Sequence, residues 1–99
     1  MKQLPFDSQA LEQLCRQHHI VRLSLFGSVL KGTENANSDV DLLVEFEPGQ
    51  APGLIGLAGI EQELSALLGG RRIDLRTPED LSPHFRSEIE RTAEEQFAA

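Results

Sequence analysis

The sequence predicts a small α/β (α+β) domain, a mixed β-sheet of about three strands with helices packed mainly on one face, in the order α-β-(turn)-β-α-β-α. Three observations predict it. The chain has 99 residues, 39% of them hydrophobic and 25% charged, which suits one folded domain, 1–99, with a modest core. Short stretches alternate apolar and polar residues, as half-buried strands do. Longer stretches between them repeat apolar residues at three- and four-residue intervals, as amphipathic helices do.

Each element follows from its own residues. Asp7-Ser8 caps a first helix, in which Leu11, Leu14, Cys15 and His18 fall at i, i+3, i+4 and i+7. His18-His19 ends it. Val21, Leu23 and Leu25 alternate with Arg22, Ser24 and Phe26 in a first strand, which Gly27-Ser28 breaks. Residues 29–31 read as one helical turn, and 32–38 as a loop of turn-forming types. Residues 39–46 form a second strand, with Val40, Leu42, Val44 and Phe46 on one face and Asp39, Asp41, Leu43 and Glu45 on the other. Pro48, Gly49, Pro52 and Gly53 mark a further loop. A helix over 54–68 buries Leu57, Ile60, Leu64, Leu67 and Leu68 and stops at Gly69-Gly70. Residues 72–76 make a third strand around Ile73 and Leu75. Thr77-Pro78 and Ser82-Pro83 are helix starts, and a last helix over 83–95 carries Phe85, Ile89 and Ala93 at four-residue spacing.

Composition excludes several functions. Nine Lys and Arg stand against 16 Asp and Glu, a net −7, which argues against gripping long nucleic acid. No apolar run approaches the ~18 residues of a membrane span, and residues 1–7 lack the apolar stretch of a secretory signal. The single cysteine, Cys15, lies on the apolar stripe of the first helix and excludes an internal disulfide or a cysteine-based zinc site. These features fit a reducing cytoplasm. His18, His19 and His84 show no metal-ligand spacing.

The aspartates carry the chemistry. Aspartate is disfavoured in strands, yet three of the five, Asp39, Asp41 and Asp74, fall in the second and third strands. Asp39 and Asp41 are two apart and share a face, and Asp74 points away from Ile73 and Leu75 in the same manner. If these strands are neighbours, three carboxylates meet and raise one another's pKa. A divalent cation relieves that repulsion, and oxygen-only ligands suit magnesium or manganese. Gly27-Ser28 directly follows a strand, so backbone N–H groups and the Ser28 hydroxyl can approach a phosphate there, with Lys31 in reach as a point charge. Each piece alone has a plainer reading: a turn, a loop cap, a solvated lysine, and ion pairing of Asp74 with Arg72 or Arg76.

Together the pieces resemble a known family. Leu25-Phe26-Gly27-Ser28, ten residues, then Asp39-Val40-Asp41-Leu42-Leu43-Val44 is similar to the Gly-Ser-x10-Asp-x-Asp signature of the DNA polymerase beta-like nucleotidyltransferase superfamily. The small size and the downstream Arg72-Ile73-Asp74-Leu75 and Thr77-Pro78-Glu79-Asp80-Leu81-Ser82-Pro83 look like the minimal nucleotidyltransferases, the antitoxins of HEPN–nucleotidyltransferase pairs. The resemblance implies the nucleotidyltransferase fold, with Gly27 and Ser28 as nucleotide-binding residues, to which the reach of Lys31 adds a third. It implies Asp39, Asp41 and Asp74 as catalytic and metal-binding residues, Asp74 also accepting the proton of the attacking hydroxyl. Val29 and Lys31 stand where relatives often carry arginines.

The activity implied is magnesium-dependent transfer of AMP from ATP to a tyrosine hydroxyl of a cognate HEPN ribonuclease toxin. Two Mg ions are implied as cofactors, with manganese as a substitute, and a hetero-oligomer with the toxin as the assembly. The alternative is an antitoxin without catalysis that masks the toxin by stoichiometric binding, for which the net −7 and Glu88, Glu90, Glu94 and Glu95 would suit a basic partner. Relatives that modify small molecules such as aminoglycosides generally carry an additional domain, which 99 residues do not accommodate.

Overall fold

The computed structural model, which describes residues 4–27, 32 and 39–99, contains α1 (Ser8–Gln17), β1 (Ile20–Phe26), β2 (Val40–Phe46), α2 (Leu54–Leu67), β3 (Ile73–Arg76), a 3-10 turn (Pro78–Asp80), α3 (Pro83–Thr92) and β4 (Glu94–Ala98). Ser28, Lys31, the helical turn expected at 29–31 and the loop expected over 33–38 lie outside the described residues. The strands form one mixed sheet in the order β3-β2-β1-β4. β1 runs antiparallel to both β2 and β4, and β2 runs parallel to β3. A parallel pair needs a crossover of a dozen residues or more, which the 14-residue α2 supplies.

Alternation decides which face is covered. Leu23 and Leu25 of β1, Val40, Leu42 and Val44 of β2 and Leu75 of β3 point to one side, where Leu11, Leu14 and Cys15 of α1 and Ile60 and Leu64 of α2 pack on them. Asp7 caps α1 by accepting from the Gln9 backbone N–H at 3.1 Å. A register shift between Ile20 and Arg22 breaks the alternation in β1, so Ile20 is buried and Val21 only partly so. The expected arrangement of helices mainly on one face holds for α1 and α2. The opposite face carries a smaller cluster, Leu43 against Leu81 and Ile89, with Phe26 and Ala93 beside it.

The sheet has four strands rather than the expected three, and the last helix ends at Thr92, not at 95. Glu94–Ala98 pairs with β1, Leu23 opposite Phe97 and Leu25 opposite Glu94, and Phe97 packs against the main core. Glu, Gln and Ala are helix formers, so nothing local marks a strand here. The free edge of β1 makes it one, because an unpaired strand edge leaves N–H and C=O groups without partners. At the other edge of the sheet, the Leu75 N–H donates to Glu61 of α2 at 2.7 Å, which fastens β3 to the helix that precedes it.

Candidate active site

Parallel pairing of β2 with β3 sets Asp41 directly opposite Asp74. Adjacent strands lie about 4.8 Å apart, so the two carboxylates emerge side by side on the open face. Across the antiparallel pair, Asp41 faces Phe26, the last residue of β1. The chain then passes through Gly27 with φ +80, a backbone conformation that suits glycine. A Cβ at Gly27 would overlap the Asp41 carboxylate, lying 2.9 Å from its Cγ. The absence of that carbon lets backbone and carboxylate share the spot, so the site begins as a cradle with Gly27 on one side and two acids on the other.

The cradle opens into a cleft of about 580 Å³ between the open face and α3. Gly27, Asp41, Asp74 and Arg76 line one end, while Phe26, Leu81, Phe85 and Ile89 supply apolar walls. Ser82 caps α3, and Arg86 ties the helix to the preceding turn by donating to the Pro78 and Leu81 carbonyls at 2.6 and 3.2 Å. These bonds hold α3 across the cleft. The four-residue spacing of Phe85, Ile89 and Ala93 did not by itself reveal this wall, in which Phe85 is 49% exposed. The available signal was that stripe together with Asp41, Glu45 and Asp74 on the sheet side that α1 and α2 leave uncovered.

Electrostatics at the acidic end is unbalanced. Burial raises the Asp41 pKa above its ordinary value, and the Asp74 and Asp39 carboxylates raise it further, against a smaller downward pull from Arg76. Asp39 lies one residue before β2 with its Oδ1 3.5 Å from Arg72 Nε, and it does not line the cleft. Asp74 pairs with Arg76 at 3.1 Å. The plainer reading of Asp74 thus holds for Arg76, whereas Arg72 pairs with Asp39. The structure therefore brings Asp41 and Asp74 together with Gly27, and sets Asp39 at the margin, near enough to act on Asp41 through its charge.

The expected three-carboxylate cluster is only partly assembled. Among the described residues, no three Asp, Glu, His or Cys side chains stand grouped to hold a metal ion. The donor chemistry still fits a hard divalent cation: oxygen ligands, a crowded carboxylate that favours neutralisation, and a glycine that lets the backbone lie against it. Two arginines hold two of the three carboxylates.

Comparison with known proteins gives a consistent picture. The nucleotidyltransferase domain family matches residues 7–95. A Methanocaldococcus jannaschii protein named as a protein adenylyltransferase is 33% identical over 73 residues, 74% of this chain and 75% of that one. Protein adenylyltransferase MntA of Thermococcus cleftensis is 38% identical over 64 residues, 65% of this chain and 62% of its own. A solved minimal nucleotidyltransferase superposes with TM-score 0.70 at 39% identity, covering 86% of this chain and 84% of that one. A toxin–antitoxin structure with AMP-PNP gives TM-score 0.72 at 21% identity, covering 94% and 74%, a likeness of fold.

Proposed function

We propose that this chain, which belongs to the nucleotidyltransferase domain family, transfers AMP from ATP to a tyrosine hydroxyl of a cognate HEPN ribonuclease toxin and so neutralises it. It would act as a single minimal domain, in complex with that toxin, in the cytoplasm. Among the described residues no helix is long and apolar enough to cross a membrane. The names of the adenylyltransferase relatives support the reaction, and the fold shared with a toxin–antitoxin structure is consistent with the partner. The observation that carries the reading is Asp41 opposite Asp74 across β2 and β3, with Gly27 packed on the Asp41 carboxylate.

The reaction asks little covalent chemistry of the protein. The acceptor oxygen attacks the α-phosphorus, the bond from that phosphorus to the oxygen bridging the α- and β-phosphates breaks, and pyrophosphate leaves. The hydroxyl proton passes to the Asp74 carboxylate. Gly27 leaves room for close approach of the phosphates, with the Ser28 hydroxyl and Lys31 as further contacts. Asp39, Asp41 and Asp74 would hold two divalent cations, Mg2+ or in its place Mn2+, which when bound neutralise charge on the phosphate oxygens. Positioning the hydroxyl against the phosphorus provides the remaining acceleration.

The test incubates the purified chain with its partner toxin, magnesium and labelled ATP. Label on the toxin with the native chain, and none with the Asp39→Asn/Asp41→Asn double variant, supports the reading. Equal labelling by both overturns it. Full neutralisation of the toxin by the double variant at equal molar ratio would show that masking suffices.

A further inference from the structure

Asp74 does not meet the cleft as a bare carboxylate. Arg76 is two residues on in β3 and so shares its face. Its guanidinium holds both carboxylate oxygens, Nε donating to Oδ1 at 3.1 Å and Nη2 to Oδ2 at 3.3 Å. The same guanidinium lines the cleft beside Gly27 and Asp41, and the charges of Asp80 and Asp41 also attract it. Arg76 is 49% and Asp74 34% exposed, so the pair can open without unpacking a core. The Asp39–Arg72 pair differs in kind: one contact at 3.5 Å, with Arg72 82% exposed and outside the cleft.

A fixed positive charge therefore sits on the carboxylate that a divalent cation and the attacking hydroxyl both require. We propose that Arg76 is a positioning residue, the resident counter-ion of the acidic pair, which holds Asp74 until the phosphates of a nucleotide draw the guanidinium away. This rests on the nucleotidyl-transfer reading and adds an order to it. Divalent cation alone competes with Arg76 for Asp74, whereas cation and triphosphate together leave neither partner of the ion pair uncompensated: the cation takes the carboxylate and the guanidinium takes a phosphate. Arginine suits both tasks because its planar fork fits carboxylate and phosphate alike. The free site therefore binds cations that arrive without substrate a few-fold more weakly than bare carboxylates would.

The test reads two affinities on the full chain: Mn2+ alone, by electron paramagnetic resonance of the free ion, and a non-hydrolysable ATP analogue at saturating Mn2+, by calorimetry. Losing a partly exposed ion pair is worth up to about fivefold in binding. Arg76→Gln is expected to bind Mn2+ alone about three- to fivefold tighter and the analogue several-fold weaker. Arg76→Lys, which keeps the charge but loses the two-point grip, is expected to bind Mn2+ somewhat tighter than the native chain and the analogue nearly as well. Arg72→Gln is expected to change neither by more than about twofold. A merely structural role for Arg76 would weaken both affinities together. Unchanged or weaker Mn2+ binding by Arg76→Gln overturns the proposal, and if that variant fails to fold, the same result with Arg76→Lys does so. A native chain that binds neither Mn2+ nor the analogue overturns the nucleotidyl-transfer reading as well, which separates the two failures.

Discussion

The two faces of β2 are made from one seven-residue strand and do opposite things. Val40, Leu42 and Val44 are fully buried under α1 and α2. Asp41, between the first two, opens onto the cleft with Asp74 and Gly27. One face gains stability from being sealed, and the other holds a carboxylate that burial and like charge make costly to ionise. The alternation of a strand thus separates folding from chemistry at intervals of a single residue. A site built this way is positioned by its own core, because any shift of Leu42 moves Asp41 with it.

The sharpest way to break the comparison is to alter neighbouring residues. Leu42→Ala leaves a cavity under two helices and is expected to cost about 2–5 kcal/mol, read by urea unfolding. Any activity it retains should scale with its folded fraction. Asp41→Asn keeps the shape and is expected to lower the rate of the proposed AMP transfer by about 10²- to 10³-fold. Yet it should leave the chain as stable as the native one or slightly more so. A destabilising Asp41→Asn would mean that the carboxylate holds the fold together, and the two faces would not be separable.

Gly27 sits on the seam between the faces and should show both effects. Gly27→Ala forces a left-handed backbone on alanine, at a cost of about 1–2 kcal/mol, and drives its Cβ into Asp41. Thermal unfolding should show the loss. The two contributions separate in a double-mutant cycle: with Asp41→Ala in place, the overlap with the carboxylate is gone, and what remains is the backbone cost and a tight 3.1 Å contact with the Cβ of residue 41. Equal costs in both backgrounds would show that Asp41 moves aside freely, and Gly27 would then be needed for its backbone alone.

The comparison also explains what could be read in the sequence. The aspartates and the Gly-Ser bend stood out because aspartate in a strand contradicts local preference, and such conflicts collect at functional sites. The parallel pairing of β2 with β3 was readable only as a condition, yet it sets Asp41 opposite Asp74. β4 was invisible, since Glu94, Glu95 and Gln96 favour a helix and only the open edge of β1 recruits them to the sheet. The α3 wall was half legible: the spacing of Phe85 and Ile89 was clear, but whether that stripe seals a core or lines a cleft depends on what it faces. Arg76 shows the same limit. Its pairing with Asp74 was one of two that the plainer reading of Asp74 offered, while the cleft that lies beside the pair is a property of the assembled sheet.

The smallest predicted effect probes the cost on the acidic face directly. The folded-state pKa of Asp41 is raised, so ionising it disfavours the folded chain. The penalty is complete above the raised value, eases as pH falls through it, and is gone below the ordinary value of 3.8. Asp41→Asn lacks this penalty throughout. The difference in stability between variant and native chain should therefore be largest near neutral pH and close as the solution is acidified. Solvent screening at a half-open site keeps it within about 1 kcal/mol, a few degrees in Tm for a domain of this size. Burial is the leading cause and like charge from Asp74 and Asp39 the lesser, so added salt should narrow the gap without closing it. Urea unfolding of both chains from pH 4 to 8, at low and high salt, reads each part. A gap that widens on acidification would put Asp41 in a net stabilising environment. The open face would then contribute to folding like the covered one.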